Sequence, residues 1–162
     1  MRDVDSETNP VLLRPLVLAR DEAAFMALLR ALYPSIAEAT LRKRLQDLQG
    51  SSWECIGAFT GNDAGTMVGM SGYWIQHRLC CGRFLYVDHF IVSGAERTKG
   101  IGQCMWQALE RIAHERGCEH IALDTFVTHS LAQRFWMNQG CSIVGLHFGK
   151  PLMCRPANGC MK

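Results

Sequence analysis

Two basic residues and two glycines fall within six positions in the stretch RTKGIG, Arg97–Gly102. That is chemistry suited to an anion. The stretch sits between an apolar run, FLYVDHFIV (84–92), and a helical pattern, IGQCMWQALERIAHERG (101–117). The start of a helix leaves backbone N–H groups unpaired and carries partial positive charge. A glycine turn before it makes a seat for phosphate. Gly100 and Gly102 let a ligand approach the backbone closely, and Arg97 and Lys99 add charge at the rim. The spacing is not that of a Walker A loop, and a dinucleotide fingerprint fails at Met105, where a third glycine is required. The plainer reading is a tight turn with its charges in water. For an isolated G-x-G that reading would stand.

The elements around the loop follow from periodicity. VLLRPLVL reads as a first strand, which Pro15 confines to an edge or shortens. Asp21 is placed to cap a helix in which Phe25, Leu28, Leu29 and Leu32 share a face. A second helix, AEATLRKRLQDLQ, buries Leu41, Leu45 and Leu48, stops at Gly50, and turns Arg42, Lys43 and Arg44 to solvent. The period then changes. WECIGAF (53–59) and TMVGMSGYWIQHR (66–78) read as a hairpin about TGNDAG, and LCCG (79–82) turns into the strand that ends at Val92. After the helix that follows the loop, capped by Gly117, HIALDTF (120–126) reads as a strand. SLAQRFWMNQG (130–140) reads as a short helix and SIVGLHFG (142–149) as a last strand. The order β-α-α-β-β-β-α-β-α-β predicts an α/β (α+β) fold, with a mixed, mostly antiparallel central sheet flanked by helices. Residues 1–150 are expected to form a single domain and 151–162 a disordered tail.

Bulk composition narrows the partners. The chain has 162 residues, 48% of them hydrophobic, enough for a buried core. Lys and Arg total 17 against 15 Asp and Glu, for a net charge of +2, so no nucleic-acid partner is expected. No signal peptide and no membrane span are visible, which predicts a cytoplasmic protein away from membranes. The eight cysteines contain no C-x-x-C pair and the six histidines no i, i+4 pair. No metal is implied, and most cysteines are expected to be reduced.

Arg97-x-x-Gly100-x-Gly102, directly after DHFIV, resembles the acetyl-CoA motif of the GCN5-related N-acetyltransferase (GNAT) family. ERGCEHIALDTF resembles that family's following strand, and SLAQRFWMNQGC…VGLHFGK resembles its last helix and strand. The likeness is good over about 85–150 and weaker before. It implies the family's acyl-CoA N-acyltransferase fold, acetyl-CoA as cofactor, a small-molecule amine as substrate, and a homodimer.

By that resemblance, Phe90, Ile91 and Val92 present backbone groups to the pantetheine arm. The Val92 N–H meets the thioester oxygen, where charge grows in the transition state. The amides of Thr98, Lys99, Gly100, Ile101, Gly102 and Gln103 hold the pyrophosphate. An amine protonated at neutral pH must lose a proton before it attacks. Asp88 is the candidate base, four residues before Val92, and could equally bind a cationic amine. Alternation puts it on the face of Tyr86 and Phe90, unless a bulge intervenes, and turns His89 the other way. Tyr73, Trp74 and Tyr86 are candidates to line an acceptor pocket, where aromatic faces suit cations. The chain departs from the family at Phe135–Trp136, where a tyrosine usually serves the leaving sulfur, and at His129, where an asparagine is usual. Indole is far too weak an acid to replace tyrosine. His129 and Trp136 stand as cofactor contacts, and the thiolate either leaves unprotonated or is served by His129, Tyr86 or a water.

The function implied is acetyl transfer to a small primary amine, polyamine-like or amino-acid-like. A protein amine is the alternative acceptor. A degenerate acyl-CoA-binding sensor is the alternative outside catalysis, kept open by the missing tyrosine. A nucleotide-binding module is disfavoured, because no magnesium-ligating Ser or Thr follows the loop. Specificity is expected on the first two helices, around 33–40, and on YWIQHR.

Overall fold

Hydrophobic runs of period two, broken by glycine turns, become the sheet. Stripes of period 3.6 become the helices that cover it. The computed structural model describes residues 11–61 and 65–152. The polar N-terminal stretch, part of the TGNDAG turn and the tail from 153 onward lie outside the described residues. Two compact units divide the chain, one up to Asp124 and one from Thr125.

In the first unit the elements run β1 (Leu12–Pro15), α1 (Leu18–Leu32), α2 (Glu38–Gln49), β2 (Glu54–Thr60), β3 (Thr66–Arg78), β4 (Gly82–Val92), a 3-10 turn (Gly94–Glu96), α3 (Ile101–Glu115) and β5 (His120–Leu123). The strands lie in the order β1-β2-β3-β4-β5. All neighbours are antiparallel except β4 and β5. β1 is an edge strand that ends on Pro15, where a missing N–H costs no ladder bond. The central sheet is thus mixed, mostly antiparallel and flanked by helices, as the element order predicts.

The sheet has a core on each face. On one, Phe25, Met26, Leu28 and Leu29 of α1 and Leu41 and Leu45 of α2 pack on Cys55, Phe59, Met67, Met70 and Ile91. On the other, Ile101 and Met105 of α3 pack on Ala58 and Val68, with Phe90 and Val92 against them. β4 contributes to both cores. α1 starts at Leu18, so Asp21 is not its N-cap residue. It lies in the first turn and reaches back, Oδ2 accepting the Val17 N–H at 3.0 Å. Arg14 grips it from β1 with two bonds, at 2.8 and 3.0 Å.

In the second unit, α4 (Ser130–Asn138) ends where Gly140 takes a left-handed φ of 85°. The Gly140 N–H donates to the Met137 carbonyl and the Cys141 N–H to the Trp136 carbonyl, a Schellman closure. The last strand expected at 142–149 does not form. The segment carries no strand pairing, and Ile143, Val144, Leu146 and Phe148 are exposed. Alternation marks a segment that can pair, but a strand exists only where its N–H and C=O groups meet partners. Among the described residues no helix is long and apolar enough to cross a membrane.

Candidate active site

β4 carries the site because its ladder with β3 is interrupted. Val87 pairs with Tyr73 and Phe90 with Ser71, so Asp88 and His89 together face the single residue Gly72. Such a bulge bends the strand and re-aims its side chains. His89 consequently lines a cavity of about 180 Å³ under α1 and α2, with Phe25, Leu29, Tyr33, Leu41, Leu45, Trp53 and Arg44 also in the wall. Its Nδ1 lies 2.5 Å from Asp88 Oδ2, although the N–H is not aligned well enough to count as a hydrogen bond. The Tyr33 ring stands edge-on to the imidazole, with centroids 5.6 Å apart. Burial first, then the Asp88 carboxylate, raises the Tyr33 hydroxyl above its ordinary pKa, against an opposing pull from Arg44. The charges of Asp88 and Arg44 therefore both reach Tyr33.

This corrects the expectation from alternation. His89 does not point away from Asp88; it touches it. Phe90 packs instead with the α3-side core. Gly72 is required by the same arrangement. A side chain there would meet the Trp53 ring, whose nearest atom lies 2.5 Å from a Cβ position. Trp53 closes over the sheet beside the bulge because nothing stands on Gly72.

Further along β4, the Ser93 N–H donates to the Val68 carbonyl at 2.8 Å. Opposed pairs alternate in an antiparallel ladder, so the preceding pair, Gly69 and Val92, is the kind without mutual hydrogen bonds. The Val92 N–H therefore points away from β3, towards the side on which β5 runs. β5 has by then ended its pairing, at Val87–Leu123. The donor expected to meet a thioester oxygen thus lies five residues beyond the last β4–β5 pair.

The loop after β4 is held in an unusual form. Thr98 has φ 69° and Gly100, the residue before α3, has φ 78°. A threonine in the left-handed region costs of order 1 kcal/mol, and such strain gathers at ligand clamps. A Cβ built on Gly100 meets nothing within 4 Å, so the backbone there is open to a ligand. Cys104 donates to the Gly100 carbonyl at 3.0 Å. The amides of Ile101, Gly102 and Gln103 come before that first helical bond, where a helix has no carbonyl to offer them. Arg97 Nε reaches back to the Val92 carbonyl at 3.4 Å, and Lys99 pairs with Glu96 at 3.0 Å. These residues fit a pyrophosphate: donors in a row, an approach clear of side chains, and cations at the rim. Among the described residues, no group of three or more His, Cys, Asp and Glu could hold a metal ion.

The aromatic candidates separate. Tyr73 is buried and donates to Glu54 Oε2 at 3.0 Å, an oxygen that Arg116 also binds. It is absent from the cavity wall. Trp74 and Tyr86 oppose each other across β3 and β4, so they share a face. Tyr86 donates to Asp124 Oδ2 at 2.6 Å. Burial and that carboxylate raise its pKa, which makes it a reluctant proton donor. In the second unit, His129 is the exposed residue before α4, its ring edge-on to Phe126. Trp136 is buried, with its ring 4.8 Å from that of Phe135. Tyr33 falls in the stretch 33–40 where specificity is expected, whereas sequence reasoning did not single out Arg44 and Trp53, which share the cavity wall with it. Arg44 is exposed, as expected beside Arg42 and Lys43, yet it also borders the cavity next to Leu41 and Leu45.

The sequence model of the acetyltransferase (GNAT) family matches residues 23–141. Glucosamine 6-phosphate N-acetyltransferase 1 of Oryza sativa subsp. japonica is 27% identical over 118 residues, 69% of this chain and 71% of that protein. Among solved structures, the aminoglycoside N-acetyltransferase AAC(6')-Iy in complex with CoA is similar at TM-score 0.76 and 18% identity, over 92% of this chain and 99% of that one. Ribosomal-protein-alanine N-acetyltransferase from Brucella melitensis biovar Abortus 2308 is similar at TM-score 0.74 and 22% identity, over 89% and 100%. At such identities the structural likeness speaks to the fold.

Proposed function

Since the chain belongs to the GNAT family of acetyltransferases, we propose that it moves an acetyl group from acetyl-CoA to the primary amine of a small molecule, by direct attack in a ternary complex. The observation that carries this reading is the donors at one end of β4: the Val92 N–H, turned away from β3 beyond the last β4–β5 pair, and the helix-start amides behind Gly100. Acetyl-CoA supplies a thioester carbonyl carbon, to which the amine nitrogen bonds as the C–S bond breaks. The amides from Thr98 to Gln103, with Arg97, hold the pyrophosphate. Phe90, Ile91 and Val92 run beside the pantetheine arm, and the Val92 N–H stabilises the charge growing on the carbonyl oxygen. Asp88 and His89 draw in the cationic amine and take its proton. The thiolate leaves without help from Tyr86, whose proton is held by Asp124, and takes its proton from solvent.

A second reading, acyl-CoA binding without turnover, is favoured by one observation: the tyrosine expected on α4 is Trp136, a buried aromatic packed on Phe135. Calorimetry and product mass separate the two. Acetyl-CoA should bind in the micromolar range, and Gly100→Val should abolish that binding, since a β-branched residue suits neither the left-handed φ nor a close backbone approach. Equal binding by the variant removes the loop from the site. Binding without an acetylated amine in any panel supports the second reading.

A further inference from the structure

The wall of the α1–α2 cavity is specific in its chemistry. It is built from apolar and aromatic side chains, with Tyr33 and His89 at one side and one permanent cation, Arg44. We propose that the acceptor is a free α-amino acid with a single aryl or branched alkyl side chain. Its side chain enters the cavity, its amine faces Asp88 and His89, and its carboxylate is bound by Arg44. This rests on the acetyltransferase reading and narrows its substrate.

Three observations support it. The volume, about 180 Å³, is that of one small apolar body; an engineered apolar cavity of roughly 150 Å³ takes up benzene. The charges have opposite sign and both reach Tyr33, which Asp88 and Arg44 pull in opposite directions. An amino acid carries those two charges on one carbon. Finally, Arg44 is kept unpaired where its neighbours are not. On the same helix Arg42 is bound by Glu38 and Glu22, and Lys43 by Asp47. Among the described residues Arg44 has no carboxylate partner.

The competing acceptors fit this wall poorly. A polyamine needs a second carboxylate for its second ammonium group, and this cavity offers a guanidinium instead. An amino sugar would bring several hydroxyls against Phe25, Leu29, Leu41 and Leu45, where they lose hydrogen bonds to water without replacement. The acceptor named for the rice relative is therefore not the one proposed for this chain. A protein N-terminus has no free carboxylate on its first residue for Arg44.

The test uses the full chain with saturating acetyl-CoA and reads acetylated product by mass. The panel is phenylalanine, leucine, phenethylamine, spermidine, glucosamine 6-phosphate and a peptide beginning with phenylalanine. Phenylalanine and leucine should be the best substrates, and phenethylamine should fall about 10–100-fold in kcat/KM, the worth of a charge-assisted hydrogen bond. Arg44→Gln, on an exposed side chain, should shrink the phenylalanine-to-phenethylamine ratio by a similar factor while calorimetry gives an unchanged Kd for acetyl-CoA. Preference for spermidine, the amino sugar or the peptide overturns the proposal and leaves the acetyltransferase reading intact. A cofactor-binding protein that acetylates nothing in the panel also overturns the proposal, and favours acyl-CoA binding without turnover. An Arg44→Gln variant that loses both substrates equally removes the carboxylate assignment. Failure to bind acetyl-CoA at all overturns the enzyme reading and this proposal together.

Discussion

Asp88 and His89 are adjacent in the chain and in contact, yet their substitutions should differ. Asp88→Asn keeps the shape and removes the charge that is proposed to draw in a cationic amine and that faces the imidazole at 2.5 Å. Turnover should fall roughly 10²–10⁴-fold, the usual worth of a positioned acid–base group, with KM for the amine raised as well. His89→Gln keeps a polar group and the carboxylate. It should lower kcat with a smaller change in KM, and it should alter the acid limb of the pH–rate profile. Both variants should bind acetyl-CoA as the wild type does, because the loop proposed to hold it is untouched. A His89→Gln enzyme with an unchanged pH–rate profile would leave the proton transfer to Asp88 alone. The loop Arg97–Gly102 was readable because its chemistry is local: glycines, cations and a helix start are all within six residues. Asp88 was singled out through the family resemblance, which puts a candidate base four residues before Val92. The direction of His89 was not, because a bulge is a property of two strands. Nothing in GRFLYVDHFIV says that Gly72 will stand opposite two residues instead of one.

At the scale of elements, the joint between β1 and α1 is the place where charge does structural work. The Asp21 carboxylate is buried and accepts two bonds from Arg14, further contacts from Arg20 and the Val17 N–H. Those partners hold its pKa well below the usual carboxylate range, Arg14 contributing most, while burial opposes them. Arg14 is stacked in turn on Phe59, its guanidinium carbon 3.7 Å from the ring centre. Asp21→Asn should therefore cost roughly 2–4 kcal/mol by leaving a half-buried guanidinium without its partner. The sign with pH follows from a depressed folded pKa: the stabilisation is complete above the unfolded value, near 4, and is lost as pH falls through the folded value. The difference in Tm between wild type and variant should thus be flat from pH 8 to about 4 and close only below that. A difference that already closes between pH 7 and 5 would point to a histidine instead. Helices and strands with their own periodicity, such as α2 and β3, were legible to the residue or nearly so. The start of α1 was not, because Asp21 serves the helix from inside its first turn rather than from the cap. The segment 142–149 was not, because alternation records a capacity to pair and carries no information about the partner.

At the scale of the molecule, the proposed cofactor loop is not a loose appendage. Its helix, α3, is fixed to the sheet by Ile101 and Met105, which are 2% and 0% exposed. They share a core with Phe90 and Val92, while Ile91 between them belongs to the opposite core. A ligand bound to the loop and to the end of β4 thus holds together elements from both faces of the sheet. Its binding energy should appear in the cooperative unfolding of the first unit, not only in local ordering of residues 97–103. A ligand that binds only the native state at about one hundred times its Kd adds roughly 2.7 kcal/mol. For a chain of this size each kcal/mol moves Tm by about 2–4 °C. Saturating acetyl-CoA should therefore raise the wild-type Tm by roughly 5–10 °C. Gly100→Val should show no rise. Its own Tm should fall only slightly, because the strain is confined to one exposed residue. A variant that still rises with acetyl-CoA would move the cofactor to another part of the surface. A wild type that does not rise, but binds by calorimetry, would mean that the loop orders on binding without engaging the two cores that meet at β4.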